Sequence, residues 1–344
     1  VWPLYWADMK PGPDVSTIYR IARYYYADGF SQDQIAGKEG VSRSQISRLI
    51  DKARELGLVR ITLVPPSSLR AEELARDLAK ALGLKSAIVV PVRKNANDEE
   101  ISLAIATRAA DCLPAILADY EFVGLGWGYT VYKTAELLPR GLGTGARPYF
   151  VPLIGTSGDD NPNLQINTII DRFGAAFRTK GLFVNIPCVR ETDAPLSRIE
   201  AQRVAMLQER WGQLDVAVVG LGAPPTESPG LIDELPAECK AELKRSSACG
   251  DILAHFFGAD GEILNVEHSY KLLAFDIAGL RRLKRSICLA GGAAKVGGIV
   301  TAARAGFISD LITDESTAIE ALERARRRHG AQAPVRDEIG RAHV

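Results

Sequence analysis

Two groups of residues in this 344-residue chain combine types and spacings that could do chemistry. The first lies between Phe30 and Gly57. Ser42, Arg43, Ser44, Gln45, Ser47 and Arg48 cluster at the start of a short helical pattern, and its apolar positions, Ile46, Leu49 and Ile50, fall on the other face. Arginine can bond guanine through two nitrogens, glutamine suits adenine, and serine hydroxyls suit phosphate oxygens. The second group is a series of glycine-rich segments, each following an apolar run. They are Gly126-Trp127-Gly128, Gly155-Thr156-Ser157-Gly158, Gly222-Ala223-Pro224-Pro225, and Gly291-Gly292 with Lys295 one turn on. Small residues let backbone donors approach a ligand, and a helix start favours an anion. Asp251 and Glu315 are carboxylates able to accept from sugar hydroxyls. Asp314 or Glu315 equally suits the cap of the last helix.

The elements that must position the first group are short helices. Residues 14–28 place Ile18, Ile21, Ala22 and Tyr25 on one face, a helical spacing. Gly29 ends that helix. Ser31 with Gln34, and Ser42 with Gln45, each fit a capping box, in which side chain and backbone satisfy one another's free donors. Ile35 and Ala36 face inward, Gly40 makes the tight turn, and Gly57 closes the second helix of the pair. Together this is the pattern of a helix-turn-helix with its second helix shaped for a major groove. Residues 59–64 (VRITLV) alternate as a short strand.

Pro65-Pro66-Ser67-Ser68 marks a boundary. The helix after it carries Leu69, Leu74, Leu78 and Leu82 on one face, either as core or as a contact between subunits. From Ser86 onward apolar runs recur at 87–92, 122–125, 149–154, 182–186, 216–221, 286–290 and 311–313. Helical patterns follow at 98–118, 198–212 and 293–305. Strand–helix alternation predicts an α/β body built as a doubly wound parallel sheet, with ligands at the carboxyl ends of its strands. The organisation expected is a helix-turn-helix domain over 1–65, a coupling helix over 66–84, an effector domain over 85–325 and a polar tail over 326–344.

Composition excludes several classes. Lys and Arg number 42 and Asp and Glu 42, with 47% hydrophobic residues, so the chain is neither a disordered tail nor a strongly basic nucleic-acid binder. Before Ser68 there are 9 basic against 7 acidic residues, and from Ser68 onward 33 against 35. Affinity for DNA must then come from local placement of charge and from several heads acting together. No apolar run reaches membrane-spanning length, and the first residues lack a basic segment leading into an apolar one. A cytoplasmic protein with no membrane partner is expected. Five scattered cysteines suit reduced thiols, with Cys112 and Cys288 in apolar runs. The GLGWG segment matches half a dinucleotide fingerprint, but its third glycine is missing. No metal-spaced cluster or nucleophile elbow appears, so no cofactor, metal or catalytic residue is expected.

The order and spacing of several segments resemble the SorC family of bacterial transcriptional regulators from about Ile18 to Leu322. They are YYYADGFSQDQIAGKEGVSRSQISRLIDKARELGLVRI, GLGWGYT, VPLIGTSG, VVGLGAPP, GDILAHFFGADGEIL and LAGGAAKVGGIVTAARAGFISDLITDE. The resemblance implies a DNA-binding head on a body similar to sugar-phosphate isomerases. It also implies a dimer or tetramer, operator DNA as partner, and a sugar, polyol or sugar phosphate as effector. By the same resemblance, Gly155, Thr156, Ser157, Gly292 and Lys295 hold a phosphate or terminal hydroxyl. Asp251 and Gly126, Trp127 and Gly128 hold the rest. His255 stands where GDI-x-x-R sequences carry arginine, which favours an unphosphorylated ligand; Gln165, Asn167, Arg172 and Arg178 are candidate replacement contacts. The alternative is an isomerase or deaminase with a DNA-binding appendage, in which Asp251 and His255 exchange protons with a substrate.

Overall fold

The computed structural model describes residues 14–59, 61, 68–139, 141, 148–157, 165–191, 195–226, 235–265 and 270–330. The expected strand at 59–64 and the chain after Gly330 therefore fall wholly or mainly outside the described residues. The chain divides into two compact units, Val1–Pro65 and Pro66–Val344.

The smaller unit holds helices α1 (Val15–Tyr26), α2 (Gln32–Glu39) and α3 (Arg43–Glu55). Ile18, Ile21, Ala22, Ile35, Ile46, Leu49, Ile50 and Ala53 form its core. Burying each of the larger of these side chains is worth about 1.5–3 kcal/mol, enough for a small core but little more. One α1 position differs from the spacing. Tyr25 is exposed, and Tyr24 instead packs edge-on against Phe30 at 5.7 Å between ring centroids. Helical periodicity ceases to decide burial at the last turn, where the returning Phe30 covers Tyr24, while Tyr25 meets only the neighbouring Tyr26 ring among the described aromatic contacts.

The larger unit begins with α4 (Ser68–Leu82) and β1 (Ser86–Val90), then α5 (Asp98–Leu117), β2 (Phe122–Leu125), α6 (Tyr129–Leu137) and β3 (Tyr149–Pro152). It continues with α7 (Ile166–Phe177), β4 (Val189–Glu191), α8 (Arg198–Trp211), β5 (Val216–Gly220) and α9 (Ala237–Arg245). β6 (Gly250–Ile252), β7 (His255–Phe257), β8 (Tyr270–Leu272), β9 (Arg285–Leu289), α10 (Val296–Arg304), β10 (Asp310–Asp314) and α11 (Glu315–Gly330) complete it. Six strands form one parallel sheet in the order β1-β10-β9-β5-β2-β3. The central strands read as continuous apolar runs because both faces are covered; Val216, Ala217, Val218 and Val219 are fully buried. α4, α10 and α11 pack together as one layer, and α5, α6 and α7 as another. Leu78 and Leu82 of α4 are buried in the sheet's own core, which answers the core-or-contact question for these two side chains. α11 runs on through Gly330, past the point where a polar tail was expected, and its own Ala325 is buried against the core.

Six of the seven apolar runs are sheet strands; the seventh, 182–186, is not. Isolated bridges flank it at each end, Phe150 to Gly181 and Thr156 to Pro187, and a side chain holds its middle where a ladder would run. The Asn167 carboxamide accepts from the Val184 amide at 3.0 Å and donates to its carbonyl at 2.7 Å. Apolar content there reflects packing under α7, which periodicity cannot tell from pairing.

The sheet order reverses at β2. The chain leaves β2 toward β3 on one side, while β5 and β9 succeed one another on the other. Such a reversal opens a crevice beyond the carboxyl ends of the strands. No helix among the described residues is long and apolar enough to cross a membrane.

Candidate functional sites

In the smaller unit the turn between α2 and α3 rests on Gly40, whose φ of 68° is the left-handed region that a Cβ disfavours. Ser31 and Gln34 form the full capping box expected of them. The second box forms only by half. Ser42 Oγ accepts from the Gln45 amide at 3.3 Å, but the Gln45 side chain does not reach back. Ser44 Oγ lies 3.0 Å from Ser42 Oγ. The helix start is thus capped by serine, and the Gln45 carboxamide projects outward. Arg43, Ser44, Gln45 and Arg48 are exposed on one side of α3, while Ser47 is half-buried. Arg43 has a loose ion pair with Asp33 at 3.7 Å, both ends in solvent, which is worth little. Beside Arg43 lies an open concavity of about 680 Å³ lined by Tyr25, Tyr26, Ser31 and Gln32 among others. Sequence marks Ser31 as a cap and Tyr25 as a helix-face residue, but not that the turn brings them next to the arginine.

In the larger unit the described residues of all four glycine-rich segments stand at the carboxyl ends of β2, β3, β5 and β9. Gly126 donates to the Val218 carbonyl at 2.8 Å, tying the β2 end to β5. Gly128 precedes α6, whose start carries no side-chain cap. The β6–β7 hairpin is inserted over this row. Gly222 donates to the Asp251 carbonyl at 2.9 Å. A Cβ on Gly222 would lie 1.9 Å from Asp251 Oδ1, so only glycine lets that carboxylate sit against the β5 end. The hairpin turn is Leu253-Ala254, both at positive φ (53° and 66°) and both buried. Asp251 Oδ2 accepts from the Ala254 amide at 3.3 Å, and the Leu253 side chain rests over Gly126.

Burial pushes the Asp251 carboxyl up to about 6, against the Ala254 hydrogen bond and the Lys295 ammonium, which pull it down. The same ammonium opposes burial at Cys288, whose thiol burial pushes up to about 12. The Lys295 ammonium is thus near both β9 and Asp251, and it has no hydrogen-bond or ion-pair partner among the described residues. His255 points elsewhere. In the hairpin Asp251 pairs with Phe256 and Ile252 with His255, so Asp251 and His255 project from opposite faces of the ribbon. His255 Nε2 lies 3.1 Å from the Phe275 carbonyl, which can only accept, so that nitrogen carries the proton. Burial holds the imidazole below its ordinary value, hence neutral at pH 7.

The segment after β3 is braced by backbone. Gly155 donates to the Leu273 carbonyl at 2.8 Å and Thr156 to that of Ile186 at 2.9 Å. The Gln165 side chain donates to the Ser157 carbonyl. After β9, Gly292 donates to Thr317 Oγ1 at 2.7 Å and to Asp314 Oδ2 at 3.2 Å. Asp314 also accepts from the Thr317 amide at 3.0 Å, so it caps α11 and pins the glycine loop. Glu315 pairs with Arg70 at 3.5 Å. Asn167 is occupied with Val184, away from the strand ends. Arg172 pairs with Glu136 at 3.1 Å and lies over the Tyr132 ring.

A raised carboxyl has a sign. The folded protein keeps the Asp251 proton between about pH 4 and 6 where the unfolded chain has lost it, so stability falls as pH rises through that window. Asp251→Asn is therefore expected to stabilise the ligand-free protein by up to about 3 kcal/mol at pH 8, with no gain at pH 4. Urea unfolding at the two pH values checks this; equal midpoints at pH 8 would contradict it.

The sugar-binding domain family (Sugar-bind) matches residues 68–323. The sorbitol operon regulator of Klebsiella pneumoniae is 29% identical over 90% of this chain and 98% of its own. The deoxyribonucleoside regulator of Bacillus subtilis is 30% identical over 86% of this chain and 94% of its own. The crystal structure of the full-length Klebsiella regulator superimposes with a TM-score of 0.73, covering 90% of this chain and 99% of that one.

Proposed function

The chain belongs to the SorC family of sugar-binding transcriptional regulators, and on that premise we propose that it binds operator DNA through α3 and is controlled by a sugar-like metabolite at the strand ends. The observation that carries the DNA reading is the exposed face of α3. Its start is already capped by Ser42, which leaves Arg43, Ser44, Gln45 and Arg48 to meet bases and phosphates. α2 and α3 then form a helix-turn-helix, with α1 beneath it. The open concavity lined by Tyr25, Ser31 and Arg43 suits the passing phosphate backbone.

The body supplies the switch. Asp251, Lys295 and the segments at Gly126–Gly128 and Gly155–Ser157 form the effector cleft, at the point where the strand order reverses. A metabolite can shift DNA occupancy only through different affinities for two arrangements of the protein. A homodimer or homotetramer would convert small changes in head placement into large changes in avidity. An isomerase needs an acid and a base converging on one carbon. Asp251 and His255 face opposite sides of the hairpin, which disfavours that role for them.

The test is a gel shift with duplex DNA from the regulator's own upstream region, with and without a panel of polyols and sugars. Retarded DNA whose midpoint moves with one of these ligands is the expected outcome. Turnover of pentose or hexose phosphates by the purified protein would overturn it.

A further inference from the structure

We propose that Asp33 is a positioning residue for Arg43: it holds the guanidinium for a base edge and keeps it from acting as a phosphate hook, a task left to Arg48. This rests on α3 being the reading helix.

The two side chains meet across the turn. Asp33 is the second residue of α2 and Arg43 the first of α3. Among the described residues of the smaller unit, theirs is the one ion pair that joins these two helices. The other acid of α2, Glu39, is committed to Arg20 of α1 at 2.9 Å, and the Lys38 ammonium lies over the Tyr24 and Phe30 rings. Asp33 approaches Arg43 through Nη1. A guanidinium carries its N–H donors in a fixed fork, so the edge formed by Nε and Nη2 stays open for a two-point contact, which is what guanine offers at O6 and N7. The first turn of a recognition helix is where base edges are met.

The charges divide the work between the two arginines. Among the described residues lining the open concavity beside α3, only Asp33 and Arg43 are charged, and they cancel. A phosphate arriving at Arg43 therefore meets a carboxylate 3.7 Å from the guanidinium, while Tyr25, Ser31 and Gln32 offer it neutral donors. Arg48 is exposed and has no ion-pair partner among the described residues. The step from Arg43 to Arg48 turns the helix through about 500°, roughly 140° away from the starting direction, so the two side chains leave α3 on different sides. In water the Asp33–Arg43 pair is too weak to matter for the fold. At a DNA surface that expels water the same pair strengthens, and it then acts on where the guanidinium points. A carboxylate in the first turn also favours the α2 dipole, which by itself would touch only stability.

The experiment uses the full chain and two duplexes of equal length, one from the regulator's own upstream region and one unrelated, titrated over a range of salt concentrations. Asp33→Asn is expected to bind the unrelated duplex more tightly and to lower the ratio of upstream to unrelated affinity at least about fivefold. Asp33→Glu keeps the charge and should preserve the ratio. Arg48→Ala should weaken both duplexes alike and reduce the salt slope by about one per head. Arg43→Ala should lower the ratio, and adding Asp33→Asn to it should lower the ratio no further, because the acid acts through the arginine. An unchanged ratio in Asp33→Asn overturns the proposal, as does a loss that adds in full to that of Arg43→Ala. A lowered melting temperature with the ratio intact also overturns it, and leaves Asp33 as a carboxylate that serves the helix start alone. Absence of any preference by the parent for the upstream duplex would overturn the DNA reading and this proposal together, whereas the Asp33 outcomes, with that preference present, bear on this proposal alone.

Discussion

Replacing Arg43 and Arg48 together by alanine is expected to abolish detectable operator binding. Each arginine contact to a base or phosphate is worth about 1–3 kcal/mol, so losing two per head weakens each head by roughly 100-fold or more. Heads that act together multiply that loss. The fold should be untouched. Both side chains are exposed, and among the described residues the only ion pair lost is the loose one to Asp33. The core of the smaller unit, from Ile18 to Ala53, does not include them. Circular dichroism and the melting temperature should match those of the parent, and the thermal response to effector should persist. Retention of the gel shift in this variant would remove α3 as the reading helix.

Gly222→Ala is expected to produce the opposite phenotype, a protein that holds DNA but no longer responds to effector. The new methyl would stand 1.9 Å from Asp251 Oδ1 and 3.0 Å from its Cγ, so the carboxylate must swing away or the hairpin must lift. Either movement removes an acceptor from the cleft. A hydrogen bond between a hydroxyl and a charged acceptor is worth about 1.5–3 kcal/mol, which puts the expected loss of effector affinity at roughly 10- to 100-fold. Calorimetry reads the affinity and the gel shift reads the response. An unchanged affinity would mean that Asp251 is not a ligand contact, and would direct attention to its hydrogen bond with Ala254 alone.

The fold was largely legible because its signals are local. Two serine-led caps and Gly40 delimit α2 and α3, and continuous apolar runs announce strands buried on both faces. What escaped was decided by partners distant in sequence. Residues 182–186 are apolar enough for a strand, yet Asn167 from α7 holds their backbone in place of a ladder. The β4–β8 and β6–β7 pairs are three residues long, too short for any periodicity to register. The glycine-rich strand ends were readable as such. The seating of Asp251 against Gly222 was not, because nothing in either segment says that a hairpin will fold back over β5. Asp314 caps α11 as its place in the sequence suggested, whereas the Asn167 carboxamide serves the Val184 backbone, as a polar side chain beside a strand end can as readily as it serves a ligand. The full capping box expected at Ser42 failed by one side chain, and that failure leaves the Gln45 carboxamide exposed.

The Leu253-Ala254 turn has a further consequence. Two non-glycine residues in the left-handed region cost about 1–2 kcal/mol each, and the surrounding packing holds them there. Leu253 is at once the apex of that turn and the side chain resting over Gly126. On the proposed effector site, the floor beside Gly126 is therefore lined by one residue that belongs to no strand of the main sheet. Exchanging it for a smaller or larger side chain resizes the floor while the six-stranded scaffold stays as it is. With the effector at the proposed site, ligand preference could drift from one metabolite to another through this one position, a short mutational path.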